Sequence, residues 1–417
     1  MTVAPAWGQE VLENNPPAVK FYKINTPHFK VLYPKGFETE AQRMANALEH
    51  IYEPEAQSLG VRPRKIPVIL QNQTTISNGF VTLLPRRSEF YTMPPQDYNS
   101  SGTTDWLNHL AAHEYRHVAQ YKLANSGFNR ALYVAFGPAT MAAMYSMSVP
   151  QWMREGDAVA AETAFTRSGR GRIPNFDLVL RTNLQEGRVF SYNKQHLRSY
   201  KHNISDHYVL GYHLVSYLRK RTNDPDVWSN IVKRTTYAPF LPFWFSSSVK
   251  KYSGLSLPGL YKATVTDLQQ TWAEALKDVT FTSFENVNTR TGNRYTDYLY
   301  PQPVADGSIL VLKQGIGDFS QFSVWQDGKE RKVFIPGVLN DAGMLSVAGN
   351  KVVWSEHGFD PRWRVKNYSV IKSYDLQNKQ YTVLTRKTRY SGAALSPDGS
   401  KIVTIESGTD YKISVVV

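Results

Sequence analysis

The sequence predicts an α+β chain in two parts: a mixed sheet with a helical subdomain over residues 20–280, and an all-β part over 285–417. Three observations carry this reading. Apolar residues recur at three- and four-residue spacing in several long stretches, as in helices with one buried face. Short apolar runs near the start, at 28–33 and 66–70, read as strands on either side of the first such helix. From about Phe281 the texture changes to brief β runs separated by glycine turns.

In order, His28–Tyr33 reads as a strand and Glu38–Ser58 as a helix with Ala41, Met44, Ala45, Leu48 and Ile51 on one face, ended by Gly60. Ile66–Leu70 is a second strand. Ser77–Arg87 alternates as an edge strand does, and the proline-bearing stretch Pro85–Pro95 reads as a loop. Asp105 can cap the next helix, where Trp106, Leu107, Leu110, Ala111, Val118 and Ala119 give an apolar face broad enough for burial on both sides. Asn125–Val149 is rich in Ala, Met and Gly. Its core, Phe136–Tyr145, is too short to span a bilayer and reads as a buried hairpin, with a membrane-touching loop as the second choice.

Pro150 suits the first turn of a further helix through Glu162. Arg167–Tyr200, with Arg167, Arg170, Arg172 and Arg188, reads as a basic loop, solvated or acting as a substrate lid. Helices follow at Asp206–Arg221, from Asp224 through Arg234, and at Leu257–Lys277. The helical subdomain is thus expected over 130–277.

Three segments of the last part look alike: 304–312, 347–354 and 395–403, each an apolar strand, a tight turn and a second apolar strand. Their glycines at 307, 349 and 399 are 349 − 307 = 42 and 399 − 349 = 50 residues apart, a spacing typical of β-propeller blades. The Ser396-Pro-Asp-Gly-Ser-Lys401 form resembles the repeat of TolB-type propellers. That resemblance implies about two and a half blades over 285–417, with the sequence in hand expected to be a fragment of a longer chain.

Composition narrows the class. With 417 residues, 41% of them apolar, the chain is long enough for two domains, and its mean hydropathy of −0.41 is that of a soluble globular protein. No apolar run approaches the roughly 18 residues of a membrane helix. The net charge of +13 comes from scattered residues, with no basic helix to suggest nucleic-acid binding. No cysteine is present, so disulfides and thiolate ligands are excluded. Ala6 and Gly8 stand like the small residues before a signal-peptidase cut, without the hydrophobic region that precedes one, which suggests a trimmed exported protein of the bacterial periplasm or cell envelope.

The chemistry concentrates at His113-Glu114-x-x-His117. Histidines four apart share a helix face and can offer two imidazole nitrogens to one Zn²⁺, with Glu114 beside them as a general base for the attacking water. A catalytic zinc needs a third protein ligand. The three-histidine extension of the motif would need Gly at 120 and His at 123, where the chain has Gln120 and Leu123. Glu155 fits the need: it follows Trp152, precedes Gly156, whose missing side chain permits close helix approach, and shares a face with Glu162 seven residues on. Glu155 is therefore taken as the third ligand, and Glu162 as an acceptor that orients a ligand or an arginine.

With Trp152-x-x-Glu155-Gly156 following the histidine motif, the chain resembles the gluzincin zinc metallopeptidases, especially the aminopeptidase and leukotriene-hydrolase branch. In that branch a tyrosine in Y-x-x-G donates to the oxyanion, and Tyr208-Val-Leu-Gly211 matches it; His207, Tyr212 and His213 are alternatives nearby. The resemblance implies peptide-bond hydrolysis of a peptide or protein substrate. The interval 155 − 117 = 38 is longer than expected for that branch, and no Gly-x-Met-Glu-Asn segment precedes the zinc helix, so recognition of a free substrate amine is not implied. Asn78, Gly79 and Phe80, on the preceding strand, are where a substrate backbone can pair as an added strand. The rival reading is a non-catalytic envelope binding protein whose zinc site is structural or vestigial.

Overall fold

The computed structural model describes residues 15–97, 102, 105–288, 292, 294–340 and 345–417; Ala6 and Gly8 lie outside them. Phe21–Asn25 (β1), Phe29–Pro34 (β2), Ile66–Gln71 (β3), Asn78–Leu83 (β4) and Arg86–Tyr91 (β5) form one mixed sheet in the order β1-β2-β3-β5-β4. β2, β3 and β5 run parallel, and β1 and β4 are antiparallel to their neighbours. Val31, Val68, Leu70 and Phe90 point to the buried side, where Glu38–Gln57 (α1) packs with Ala41, Met44, Ala45 and Leu48.

Two strands differ from the sequence reading. The expected loop at Pro85–Pro95 contains β5, seated between β3 and β4. Its charges hid it: Arg87 and Glu89 satisfy each other on the sheet at 2.5 Å, while Ser88, Phe90 and Tyr91 are buried. β1 has no counterpart among the strands read from the sequence, because an exposed outer strand carries little apolar signal.

Trp106–Ala124 (α2) joins two cores. Leu107, Leu110, Ala111 and Val118 face the sheet and α1, whereas Ala119, Leu123 and Ala124 face the helical part. Asp105 caps it, accepting from the backbone N–H of Leu107 and Asn108. The helical part comprises Gly127–Phe136 (α3), Pro138–Ser148 (α4), Gln151–Phe165 (α5), Leu178–Gln185 (α6), Tyr192–Leu197 (α7), His207–Thr222 (α8), Val227–Tyr237 (α9), Trp244–Ser253 (α10) and Leu257–Leu276 (α11).

Here too the structure corrects expectation. Asn125–Val149 is a hairpin of two helices turning at Gly137 (φ 85°), but it is not buried throughout: Met141 and Tyr145 are, whereas Val134, Phe136 and Met147 are exposed. No described helix is long and apolar enough to cross a membrane. Arg167–Tyr200 is no continuous loop: it holds a 3-10 turn, Arg170–Arg172, and the helices α6 and α7.

The last part is three antiparallel meanders. Thr296–Pro303 (β6), Ile309–Gly315 (β7), Asp318–Gln326 (β8) and Lys329–Phe334 (β9) form the first. Ser346–Ala348 (β10), Lys351–Phe359 (β11), Asn367–Asp375 (β12) and Tyr381–Val383 (β13) form the second. Tyr390–Leu395 (β14), Ile402–Ser407 (β15) and Ile413–Val416 (β16) form the third. Gly307, Gly349 and Gly399 all have positive φ and all fall in the turn between the first and second strand of their sheet, which accounts for the repeat. The first two sheets share a core in which Phe322 meets Trp354 edge to face. Among the described residues the sheets do not close into a ring.

This part is tied to the first. The buried Asn367 side chain accepts from the Thr75 hydroxyl (2.7 Å) and donates to that of Thr74 (3.1 Å), and the Arg389 guanidinium donates to the Gln73 and Thr74 carbonyls. These contacts hold the segment that enters β4.

Candidate metal centre

α2 sets the two histidines one turn apart, with their rings 5.0 Å apart and nearly perpendicular. The Glu155 carboxylate arrives from α5. Its Oε2 lies 3.3 Å from His117 Nε2 and 3.6 Å from His113 Nε2, and all three ligand atoms lie within 4.8 Å of one another. Two imidazoles and a carboxylate are the donor set that zinc takes in catalytic sites.

Each imidazole is oriented through its other nitrogen. His113 Nδ1 is 2.8 Å from Glu162 Oε2. Arg170 Nη2 lies 2.9 Å from the same Nδ1, but a guanidinium can only donate, so the acceptor for the Nδ1 proton is Glu162. His117 Nδ1 is 3.0 Å from Gln120 Oε1. The Gln120 amide cannot turn over, because its nitrogen donates to the Arg154 carbonyl and to Asp157 Oδ2. With each Nδ1 held by its own acceptor, both Nε2 atoms are left toward Glu155, the orientation that metal-ligating histidines require.

Asp157, fully buried, is the anchor below. It receives two hydrogen bonds from Arg116 and one from Arg219, at 2.7–2.9 Å. Glu162, also fully buried, receives three bonds from Arg170, through the backbone N–H, Nε and Nη2. Arg170 is delivered by the 3-10 turn between Gly169 and Gly171, where a Cβ would stand 2.4 Å from Thr163 Cα and 2.3 Å from the Tyr212 ring, respectively. The guanidinium also lies over the Tyr208 ring, 4.7 Å from its centroid.

Tyr208 stands in the first turn of α8, its N–H accepted by the Asp206 cap, and its ring centroid is 6.3 Å from that of His113. Two glycines bring it there. A Cβ on Gly156 would fall 2.1 Å from Gly211 C, and one on Gly211 would fall 1.8 Å from the Trp152 carbonyl oxygen. α5 and α8 therefore cross with their backbones in contact, so Glu155 and Tyr208 share one site. Of the three alternatives to Tyr208, only His207 is beside it, with rings 4.4 Å apart. Tyr212 packs on Gly171 and Phe176, and His213 faces Asp177 at 3.5 Å.

Glu114 is buried beside the cluster, and its Oε2 has no hydrogen-bond partner among the described residues. β4 closes over it: a Cβ on Gly79 would stand 2.7 Å from Leu110 Cδ2 and 2.8 Å from Glu114 Oε1, so glycine is what lets the strand approach. Asn78 and Phe80 flank this position on the outer strand of the sheet, with Phe80 packed edge to face on Tyr91.

The electrostatics follow from burial among few charges. Burial raises the Glu114 carboxyl above its ordinary value. Burial opposes charge on Glu155 and His117 as well, but their attraction prevails, holding Glu155 far below the carboxylate range and raising His117 to about 9. Burial, aided by Glu155, pushes the Tyr208 hydroxyl up to about 12, against the pull of Arg170. His109, one turn before His113 and stacked parallel to it, is lowered by burial to about 4, and its Nε2 lies 3.3 Å from Glu162.

No protein-family model matches the chain, and no curated protein matches its sequence. Of the residues named in advance, His113, His117 and Glu155 converge, Glu162 and Tyr208 stand against His113, and Gly79 of the strand 78–80 meets Glu114. Sequence reasoning missed Gln120, Asp157, Arg116 and His109, and placed Arg170 in a basic loop, solvated or acting as a substrate lid. The available signals were slight: the three-residue offset of Gln120 from His117, and glycines on both sides of Arg170.

Proposed function

We propose that the protein is a zinc-dependent peptide hydrolase of gluzincin type, with a partial TolB-like propeller that recognises or gates substrate, working in the cell envelope. The observation that carries the reading is the convergence of two Nε2 atoms and the Glu155 carboxylate next to a buried, unpartnered Glu114. A structural site needs ligands and no base, so the presence of Glu114 favours catalysis over a structural zinc.

His113, His117 and Glu155 would hold the ion, which when bound supplies Lewis acidity for the scissile carbonyl and for water. Glu114, with its affinity for protons raised by burial, takes the proton of the attacking water and returns it to the leaving amine. Tyr208, whose hydroxyl stays protonated well above neutral pH, donates a hydrogen bond to the developing oxyanion. Arg170 and Glu162 hold the Tyr208 ring and the His113 imidazole in place. β4, the outer strand, offers its unpaired edge to an extended peptide across Glu114. The propeller-like sheets brace the segment entering that strand, which is the support for a gating role.

The test is metal analysis with hydrolysis of a fluorogenic peptide library by wild type and Glu114→Gln. The reading expects stoichiometric zinc in both and a loss of about 10²–10⁴-fold in kcat for the variant. Wild type without zinc, or hydrolysis undiminished in the variant, overturns it.

A further inference from the structure

A cavity of about 450 Å³ opens between α2, β4 and the α3–α4 hairpin. Ile66, Val81, Leu83, Val118 and Met141 give it an apolar floor. Five cations stand around it: Arg64, Lys65, Arg86, Lys122 and Arg130. No acidic residue lines it, and among the described residues none of the five cations is paired with a carboxylate. Arg86 is held in place by donating to the Arg64 and Lys65 carbonyls, both at 2.8 Å. Asn125, also at the wall, has a buried Oδ1 without a hydrogen-bond partner among the described residues. Cations gathered without counterions around an apolar floor create a field that favours an anion with an apolar neighbour.

The cavity shares both walls with the candidate metal centre. Along α2, Lys122 is eight residues beyond Glu114, about 12 Å at roughly 1.5 Å per residue. Along β4, Leu83 is four residues beyond Gly79, about 13 Å at roughly 3.3 Å per residue. The two paths agree. A peptide extended along the β4 edge with its scissile bond over Glu114 therefore enters the cavity beside Val81 and Val118 about two residues away and comes level with Leu83 and Lys122 about four residues away.

We propose that this cavity is the specificity subsite of the hydrolytic centre, taking Asp or Glu together with an apolar neighbour about four residues from the cleaved bond. The inference rests on the peptidase reading above for its substrate, and on the cavity alone for its preference. Because the cations Arg64, Lys65, Lys122 and Arg130 are exposed, the preference is screened by salt.

The test uses two labelled peptides that differ only in carrying Glu-Leu-Glu or Lys-Leu-Lys in the segment three to five residues from the central bond, on either side. Binding to zinc-loaded Glu114→Gln protein is read by fluorescence anisotropy at low and high salt, and kcat/KM is read with wild type. The acidic peptide is expected to bind at least tenfold tighter at low salt, and the double variant Lys122→Glu/Arg130→Glu to reduce that ratio at least tenfold. Both side chains are exposed, and a thermal melt checks that the variant is folded. Equal binding of the two peptides, or a ratio indifferent to charge reversal, overturns the subsite. Co-sedimentation with phosphatidylglycerol vesicles, lost on charge reversal and without peptide preference, overturns it in favour of an anionic lipid. Preference in binding without any hydrolysis contradicts the peptidase reading and leaves the subsite standing, whereas hydrolysis without preference does the reverse.

Discussion

Gln120 shows how a single side chain commits another to one tautomer. Its amide nitrogen is bound by the Arg154 carbonyl and Asp157, so its oxygen must face His117 Nδ1. Replacing it by Leu removes that constraint and is expected to weaken zinc affinity about 10–100-fold, measured by competition with a chelator. Tyr208→Phe is expected to lower kcat at least about tenfold with little change in KM, because the hydrogen bond proposed for it would strengthen in the transition state; an unchanged kcat removes Tyr208 from the chemistry. At this scale the sequence was informative where chemistry constrains spacing, as at His113, Glu114, His117 and Glu155. It was uninformative where a residue acts through the fold. Arg170 and Asp157 sit in stretches whose charge alone suggests solvent, and only burial against Glu162 and Arg116 shows otherwise.

The crossing of α5 and α8 decides whether ligand and tyrosine share a site. Gly156 was legible as a point of close approach, and Gly211 as the end of a tyrosine motif, but only the structure shows that they touch each other. Gly211→Ala would drive a methyl into the Trp152 carbonyl. The expected cost is at least about 2 kcal/mol, at the upper part of the range for overpacking, with loss of hydrolysis as Tyr208 moves; thermal denaturation and kcat check both. Helices with regular apolar spacing, such as α1, and those capped as well, such as α2, α8 and α11, were readable to within a few residues. β5 was not, because its polar residues satisfy each other within the sheet. The burial of the α3–α4 hairpin was misread because its composition signals a core, whereas Val134 and Phe136 are exposed.

The two parts of the molecule meet at residues 73–75, which lead into the strand over Glu114. Asn367 holds this segment through buried hydrogen bonds and Arg389 through partly buried ones, and Arg389 is desolvated enough to lower its pKa to about 10. Asn367→Ala with Arg389→Ala is expected to increase hydrogen exchange across residues 73–83 at least tenfold while the helical core keeps its protection, as read by mass spectrometry. Unchanged exchange there contradicts a bracing role for the β part. The change from helices to strands after Leu276 was legible from the change in texture, and the glycine repeat located the same turn in three sheets. The docking was not legible, since contacts some 300 residues apart leave no local pattern. The account as a whole turns on convergence of groups from α2 and α5 on one ion. Zinc K-edge absorption on stoichiometrically loaded protein tests this most directly. The expected first shell holds two imidazoles and light oxygen donors, losing an imidazole in His117→Ala and an oxygen donor in Glu155→Ala; a shell without imidazole, or one that neither substitution alters, contradicts it.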